Sequence, residues 1–255
     1  MPSGPVKAAH ASSHAIVIVR EQSIEIYPSA SALPPTILVG AAQAPISCPV
    51  VPPLAKHRLP WRLNSARLAL LPDAHFDSAI PTLELVARFD SWYPWPVNLL
   101  HHLRLQPNPL YGPPITREEN DIIPVPEFAA YHPHPTSSTA WASPIELFAP
   151  SALALPARGR TALFLDSGDT PGAHAQRVAA RILVPPPKTA KRMIPWEPAT
   201  GGNAPDEEAP EAVTIVFASR GGAHWTNVAL DEDQGVLALA GADGRVEVWE
   251  YAPIE

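Results

Sequence analysis

The last part of the chain, residues 224–251, reads His-Trp-Thr-Asn-Val-Ala-Leu-Asp-Glu-Asp-Gln-Gly-Val-Leu-Ala-Leu-Ala-Gly-Ala-Asp-Gly-Arg-Val-Glu-Val-Trp-Glu-Tyr. Apolar residues alternate along it in three short runs, and a period of two residues is typical of β-strands with one buried face. The alternating residues are Val228 and Leu230, Val236 (or Leu237) and Leu239, and Val246 and Val248. The stretch therefore predicts three consecutive strands.

A turn is expected between the second and third of these strands, at Asp243-Gly244. Asp followed by Gly favours a tight hairpin, because both central residues of the mirror-image turn need a positive φ, which glycine adopts without strain. The Asp243 carboxylate either pins this hairpin by accepting hydrogen bonds or is solvated in an ordinary turn. We expect Trp249 to be a buried anchor, since it ends a strand whose apolar face includes Val246 or Val248.

The composition favours a globular chain of many short strands. Hydrophobic residues make up 46% and charged residues only 17%, and proline occurs 34 times in 255 residues. Proline interrupts helices and central strands alike, so long regular elements are disfavoured and Pro-rich loops are expected between them.

The charge and cysteine content exclude several classes of protein. The formal net charge of −7, from 18 basic and 25 acidic residues, argues against a nucleic-acid partner. The single cysteine, Cys48, cannot form an internal disulfide. Neither a signal-peptide pattern nor an apolar run of membrane-spanning length occurs in the sequence, so no membrane partner is expected and we expect an intracellular protein, cytoplasmic or nuclear.

The pattern along the chain predicts one β-rich domain at 15–251, between a loose terminus at 1–14 and a tail at 252–255. Loop insertions are expected near 104–140 and 185–212, where Pro, Asn, Ser and Thr recur. About eleven strands are expected in all. Besides the three at the end, they are Ala15–Val19, Ser23–Tyr27, Thr36–Val39, Arg67–Leu71, Thr82–Phe89, Ile145–Phe148, Thr161–Asp166 and Val213–Ser219. Leu99–Leu103 could form one helical turn, and 172–182 is either a short helix or another strand.

The final stretch resembles a blade of a WD-type β-propeller. The spacings from Leu237 to Asp243 and from Asp243 to Trp249 match the second strand, turn aspartate and strand-ending tryptophan of such a blade. The resemblance implies a mainly β fold, a partial or degenerate WD-like propeller, because eleven strands supply only two or three blades of four.

Several segments in order resemble the C-terminal region of the large fungal family of F-box proteins whose substrate-binding half is a WD-like propeller. The segments are Ile18–Tyr27, Arg88–His102, Pro144–Pro150, Thr161–Ser167 and Trp225–Tyr251. The resemblance implies a protein-binding module that recruits substrates in a ubiquitin-ligase context. No segment resembling an F-box precedes Ala15, so adaptor docking is not carried over to this chain.

An aromatic segment offers the best candidate binding residues. Trp92, Tyr93 and Trp95 lie within four positions and are followed by His101 and His102. Trp and Tyr are enriched in binding hot spots because they bury a large area and keep a polar group. The alternative is that the aromatic cluster fills a gap between blades.

No residue set in the sequence predicts a reaction, a cofactor or a metal site. The histidine pairs His101-His102 and His132-Pro-His134 have no cysteine or close acid at ligand spacing. The serines beside aspartates lack a nucleophile elbow and an oriented histidine.

The sequence therefore favours a protein-binding module with a protein partner of unknown identity. One alternative is an enzyme on a propeller-like scaffold with its site near 90–102, and another is a truncated gene product without independent function. Too few strands for a closed propeller would leave an unpaired, apolar strand edge, so self-association through that edge is also expected.

Overall fold

The structure is a computed structural model. It describes residues 4–29, 51–71, 80–89, 99–112, 128–135, 138–143, 145, 152–156, 159–167, 175–183, 214–221 and 225–250. These residues form strands, turns and connections, and no helix among them is long and apolar enough to cross a membrane.

The described residues form four antiparallel sheets in which strands lie side by side in chain order. The first sheet contains β1 (Val6–Ala11), β2 (Ala15–Arg20), β3 (Ser23–Pro28) and β4 (Ala55–Arg58). The second contains β5 (Leu63–Leu70), β6 (Leu83–Phe89), β7 (Leu99–Leu105) and β8 (Ser138–Ala142). The third contains β9 (Leu153–Ala154), β10 (Thr161–Ser167), β11 (Ala175–Ile182) and β12 (Thr214–Gly221). The fourth contains β13 (Trp225–Asp231), β14 (Val236–Gly241) and β15 (Val246–Glu250).

The four sheets follow one another like the blades of a propeller. The first strand of each sheet lies beside the first strand of the next: β1 contacts β5, β5 contacts β9, and β9 contacts β13. Sequential meanders that meet along their first strands are the arrangement of propeller blades. The expected fold class, mainly β and propeller-like, is confirmed.

Three buried clusters lie between neighbouring sheets and hold them together. The first, between the first and second sheets, includes Val17, Val19, Ile24, Ile26, Leu83, Leu85, Leu103 and Leu105. The second, between the second and third sheets, includes Val86, Leu100, Trp141, Leu153 and Phe164. The third, between the third and fourth sheets, includes Leu163, Leu165, Trp225, Leu237 and Leu239. Burial of this apolar surface is the main favourable contribution to folding.

The expectation of a loose terminus at 1–14 is wrong, because β1 lies within it. β1 pairs with β2 from Val6↔Arg20 to Ala11↔Ile16, with a register shift after Val6. Its small side chains give a weak hydrophobic pattern, yet the strand lies against β5 and is fixed by backbone pairing. Long-range pairing therefore ordered a segment with little local signal.

The helical turn expected at Leu99–Leu103 is also wrong, since these residues belong to β7. This strand is buried along most of its length, so it shows no alternation, and periodicity alone cannot separate such a strand from a buried helix. Of the two alternatives at 172–182, the structure has the strand, β11. Both ends of the loop expected at 104–140 belong to strands, 104–105 to β7 and 138–140 to β8.

Other expectations fall partly or wholly outside the described residues. These are the strand at 36–39, most of the one at 145–148, the loop at 185–212 and the tail at 252–255. Ile145 itself is described and is not in a strand.

The hairpin between β14 and β15 differs by one residue from the expected turn. The Gly244 N–H donates to the Gly241 carbonyl at 3.1 Å, and the Gly241 N–H donates to the Arg245 carbonyl at 2.8 Å. The central turn residues are therefore Ala242 and Asp243, and Gly244 follows them with a φ of +81°. This is the pattern of a turn followed by a glycine bulge, which is common in three-residue hairpin loops.

We expect Gly244→Ala to lower the free energy of unfolding by about 1 kcal/mol, because an alanine is strained at positive φ. A Cβ at Gly244 would meet nothing within 4 Å, so the effect is conformational and not steric. Chemical denaturation measures it. Gly112→Ala is the control, since a Cβ there also meets nothing within 4 Å and φ lies outside the positive region. Equal effects of the two substitutions would contradict the prediction.

Candidate functional site

The residues of the predicted aromatic segment, Trp92, Tyr93 and Trp95, lie outside the described residues. The strands on either side of the segment are described: β6 ends at Phe89 and β7 begins at Leu99. Pairing of Arg88 with Leu100 places the end of β6 beside the start of β7.

The two histidines that follow the segment lie on opposite faces of β7. His101 packs its ring edge-on against Phe89, with ring centroids 4.5 Å apart, and is half-buried. Burial lowers the pKa of His101, which favours the neutral imidazole at neutral pH. His102 is buried and its Nε2 contacts the Glu84 carboxylate. His102 therefore lies in the interior and is not accessible to a partner, contrary to its expected binding role.

Trp249 is less buried than expected, and its neighbours face the other way. It pairs with Leu237, and it is half-buried against the cluster between the third and fourth sheets. Val246 and Val248 are 64% and 62% exposed, so the expectation that their face is the buried one is wrong. A shift of one residue in a strand exchanges the two faces, and pairing with Leu237 sets Trp249 inward.

Asp243 combines the two alternatives that the sequence left open. Its Oδ1 accepts a hydrogen bond from the Arg245 N–H at 3.1 Å, which supports the hairpin. The rest of the carboxylate faces solvent, and its ion pair with the Arg245 side chain at 3.4 Å is exposed on both sides. An exposed pair of this kind contributes little to stability.

An exposed tryptophan outside the predicted aromatic segment, Trp61, lies in the connection between the first and second sheets. Trp61 is 65% exposed, while Leu59 and Leu63 on either side of it are buried. The Leu59 N–H donates to the Gln22 carbonyl at 2.9 Å, and the Leu63 N–H donates to the Glu21 carbonyl at 2.7 Å. The backbone is thus held on both sides of a large side chain that points into solvent.

A charged pair flanks this tryptophan. Arg62 donates from an Nη to the Glu21 carboxylate at 2.6 Å, and the Arg62 side chain remains more than half exposed. We call Trp61, Arg62 and Glu21 the Trp61 surface. Leu63 pairs with Phe89, so the Trp61 surface lies at the end of the second sheet where β6 ends and His101 packs on Phe89.

The sequence does contain a signal for this surface. Leu-Pro-Trp-Arg-Leu at 59–63 places a proline and a tryptophan between two leucines, and proline favours an extended or turned backbone over a helix. Burial of both leucines then leaves the residues between them outside the core.

The histidines that were candidates for metal ligands do not form one cluster. His134 lies beside His57, with their Nδ1 atoms 3.0 Å apart, and not beside His101 or His102. Burial, and then the charge of His134, lower the pKa of His57, so one neutral ring can donate to the other. Within the described ranges, no group of three or more His, Cys, Asp or Glu side chains is placed to hold a metal ion.

No protein-family model matches this chain, and no curated protein matches it. Two solved structures from fission yeast are similar. The complex of the SREBP-SCAP binding domains is 11% identical, with a TM-score of 0.44, over 100% of this chain and 51% of that one. The WD40 domain of SCAP is 11% identical, with a TM-score of 0.43, over 100% of this chain and 44% of that one. This chain thus spans about half the length of those solved chains, and these likenesses do not support the F-box family specifically.

Proposed function

We propose that this chain is a protein-binding module and that the Trp61 surface contacts the partner. The observation that carries the proposal is a tryptophan 65% exposed on a backbone that is hydrogen-bonded on both sides. Trp and Arg are enriched among the residues that dominate binding energies, and a side chain presented on a fixed backbone loses little entropy on binding.

The sheets behind the Trp61 surface suit this role. Leu59 and Leu63 belong to the apolar cluster that joins the first and second sheets, so the loop is anchored in the core. The only histidine and carboxylate pair near the segment 90–102 that the structure describes, His102 with Glu84, is buried and has no surface for a substrate.

The more specific role, substrate recruitment in an F-box-type ubiquitin-ligase context, is proposed from the sequence resemblance alone. It predicts that a ubiquitin-ligase adaptor co-purifies with the chain, or with a longer protein that contains it. Absence of any adaptor, together with capture of another specific partner, would remove the ligase context and leave the binding role.

Substitution Trp61→Ala is expected to weaken capture of the specific partner by about tenfold or more, the range of a hot-spot residue. Affinity purification with quantitative mass spectrometry measures the loss. Leu110→Ala is the matched control, because Leu110 is similarly exposed, at 66%, and follows β7 at the opposite end of the second sheet. Both variants should unfold within about 0.5 kcal/mol of the unsubstituted chain. Equal partner loss in both variants, or none in Trp61→Ala, would contradict the proposal.

A further inference from the structure

Positive charge is concentrated in the first part of the chain. Residues 1–71 contain six basic residues and two acids, although the formal net charge of the whole chain is −7. A local excess of one sign attracts partners of the opposite sign even where the whole protein carries the other. The basic residues are Lys7, Arg20, Lys56, Arg58, Arg62 and Arg67, and the acids are Glu21 and Glu25.

Three of these cations lie on one face of the first sheet. Arg20 of β2 pairs with Ser23 of β3, and Ser23 pairs with Arg58 of β4, so the three side chains point to the same side. Lys56 is two residues from Arg58 along β4 and therefore lies on that side as well. The face is turned away from the second sheet, because Val19, next to Arg20, belongs to the cluster between the two sheets. We call Arg20, Lys56 and Arg58 the cationic face.

The acids of this region lie beneath the cations. Arg20 Nε and Lys56 Nζ each contact the Glu25 carboxylate at 2.8 Å. The Glu25 side chain is only 5% exposed, against 23% for Arg20 and 45% for Lys56. Arg62 is likewise more exposed than Glu21, its partner in the Trp61 surface. Solvent therefore meets more positive than negative side-chain surface here.

Arg58 differs from the other two cations of this face. It is exposed, and its side chain makes no ion pair or hydrogen bond within the ranges that the structure describes. A guanidinium presents its donors in a planar fork that matches the two oxygens of a carboxylate. Arg58 is therefore the cation of this face that is available to an acid of a partner.

The cationic face adjoins the Trp61 surface at the turn between β2 and β3. Backbone hydrogen bonds from Leu59 and Leu63 to this turn hold the connection that contains Trp61 alongside it. Arg58 lies three residues before Trp61, so their Cα atoms are at most about 11 Å apart. An extended peptide of about four residues covers that distance.

A short acidic peptide suits this charge pattern better than a nucleic acid. Binding to a nucleic acid backbone gains its strength from many phosphate contacts, whereas Arg20 and Lys56 are already partly neutralised by Glu25. A long polyanion also meets the negative charge of the whole chain, but a short segment meets mainly the local positive charge.

We propose that the partner of the Trp61 surface binds through an acidic peptide segment, with a carboxylate on Arg58 and an apolar side chain on Trp61. The other cations keep their own pairs and add to the attraction through their charge. This assignment rests on the protein-binding function and names the chemistry of the segment that the partner presents.

The probe is a synthetic peptide with blocked ends, Asp-Glu-Leu-Glu-Asp, and its control is Asn-Gln-Leu-Gln-Asn, which has nearly the same shape without charge. Titration of the full chain is followed by nuclear magnetic resonance of the Trp61 indole N–H and of the amides in the turn between β2 and β3. The acidic peptide should shift these signals and bind about fivefold more tightly than the control, the upper range for an exposed ion pair. Equal affinities, or shifts confined to other sheets, would overturn the proposal.

Two variants show whether Arg58 is the contact. Arg58→Gln should weaken the acidic peptide by about threefold to fivefold and leave the control peptide unchanged. Arg245→Gln removes the same charge from a side chain that is 87% exposed in the hairpin between β14 and β15, and it should change neither affinity. Equal loss in both variants would show general attraction to the chain and overturn the proposal.

An oligothymidine tests the competing class of ligand. Binding of this single-stranded DNA more tightly than the acidic peptide, with loss in Arg58→Gln, would make the cationic face a phosphate-binding surface and overturn the peptide proposal. Weaker binding than the acidic peptide is the expected result.

Capture of the specific partner separates this proposal from the protein-binding function. Arg58→Gln should weaken capture by about threefold or more, in the same direction as Trp61→Ala. Loss of capture in Trp61→Ala alone, together with no preference for the acidic peptide, would overturn the acidic segment and leave the binding function intact. Unchanged capture in both variants would contradict the Trp61 surface itself.

Discussion

Replacing Arg88 with alanine is expected to lower the free energy of unfolding by about 3–5 kcal/mol, the range for breaking a buried charged network. Arg88 lies in β6 and is fully buried. Burial lowers its pKa to about 10, opposed by the nearby negative charge of Asp166. The guanidinium therefore remains charged at neutral pH.

The partners of Arg88 connect two sheets. One Nη donates to the Ser143 carbonyl at 2.8 Å, and the other donates to the Ser143 hydroxyl at 2.9 Å and, more weakly, to the Leu165 carbonyl at 3.4 Å. Ser143 follows β8 of the second sheet, and Leu165 belongs to β10 of the third. Alanine would leave a cavity and buried acceptors without a donor, and both effects destabilise the folded state.

Chemical denaturation measures this effect, and two variants control it. Arg67→Ala removes an exposed arginine from the neighbouring strand β5 and should change stability by about 0.5 kcal/mol or less. Arg88→Lys keeps the charge and loses the planar fork, so its effect should be smaller than that of alanine and larger than that of Arg67→Ala. A loss below about 1 kcal/mol for Arg88→Ala would show that the two sheets do not depend on this residue.

Strands with local signals could be predicted from the sequence, and strands ordered by distant pairing could not. The three runs of the fourth sheet alternate, and all three are strands. β1 has small side chains and β7 is buried on both faces, so neither has a period that separates it from a loop or a helix. The sequence also does not show which face of the last strand is buried. Nothing in the local pattern indicates that Trp249, and not Val248, faces the core.

The sequence drew attention to aromatic residues, but not to the residue that forms the Trp61 surface. The aromatic residues that the sequence offered as a binding surface lie outside the described residues, and the most exposed of the described Trp, Tyr and Phe side chains is Trp61, at 65%, ahead of Phe128 at 42%. The exposure of Trp61 depends on backbone hydrogen bonds from Leu59 and Leu63 to residues about forty positions away, which no local pattern contains. His102 had the same limitation, because its partner Glu84 is set by the register of β6 with β7.

Substitution Glu84→Gln is expected to destabilise the fold by about 3–5 kcal/mol, since it removes the carboxylate that pairs with the buried Arg104 side chain. Glu84 is fully buried, and its Oε1 accepts a hydrogen bond from the Arg104 Nε at 2.7 Å while its Oε2 contacts His102. Glu21→Gln is the control, because the Glu21 pair with Arg62 lies at the surface and contributes about 1 kcal/mol or less.

A double-mutant cycle separates the loss of charge pairing from a general loss of packing. Glu84→Met alone and Arg104→Met alone should each destabilise, because each removes one partner from a charged side chain that stays buried. Glu84→Met with Arg104→Met removes both charges, so the combined loss should be smaller than the sum of the single losses by more than about 1 kcal/mol. Additive losses in denaturant titrations would mean that the two side chains act independently. A double variant near the stability of the unsubstituted chain would show that the ion pair adds no net stability over two apolar side chains, as is found for buried ion pairs in other folds.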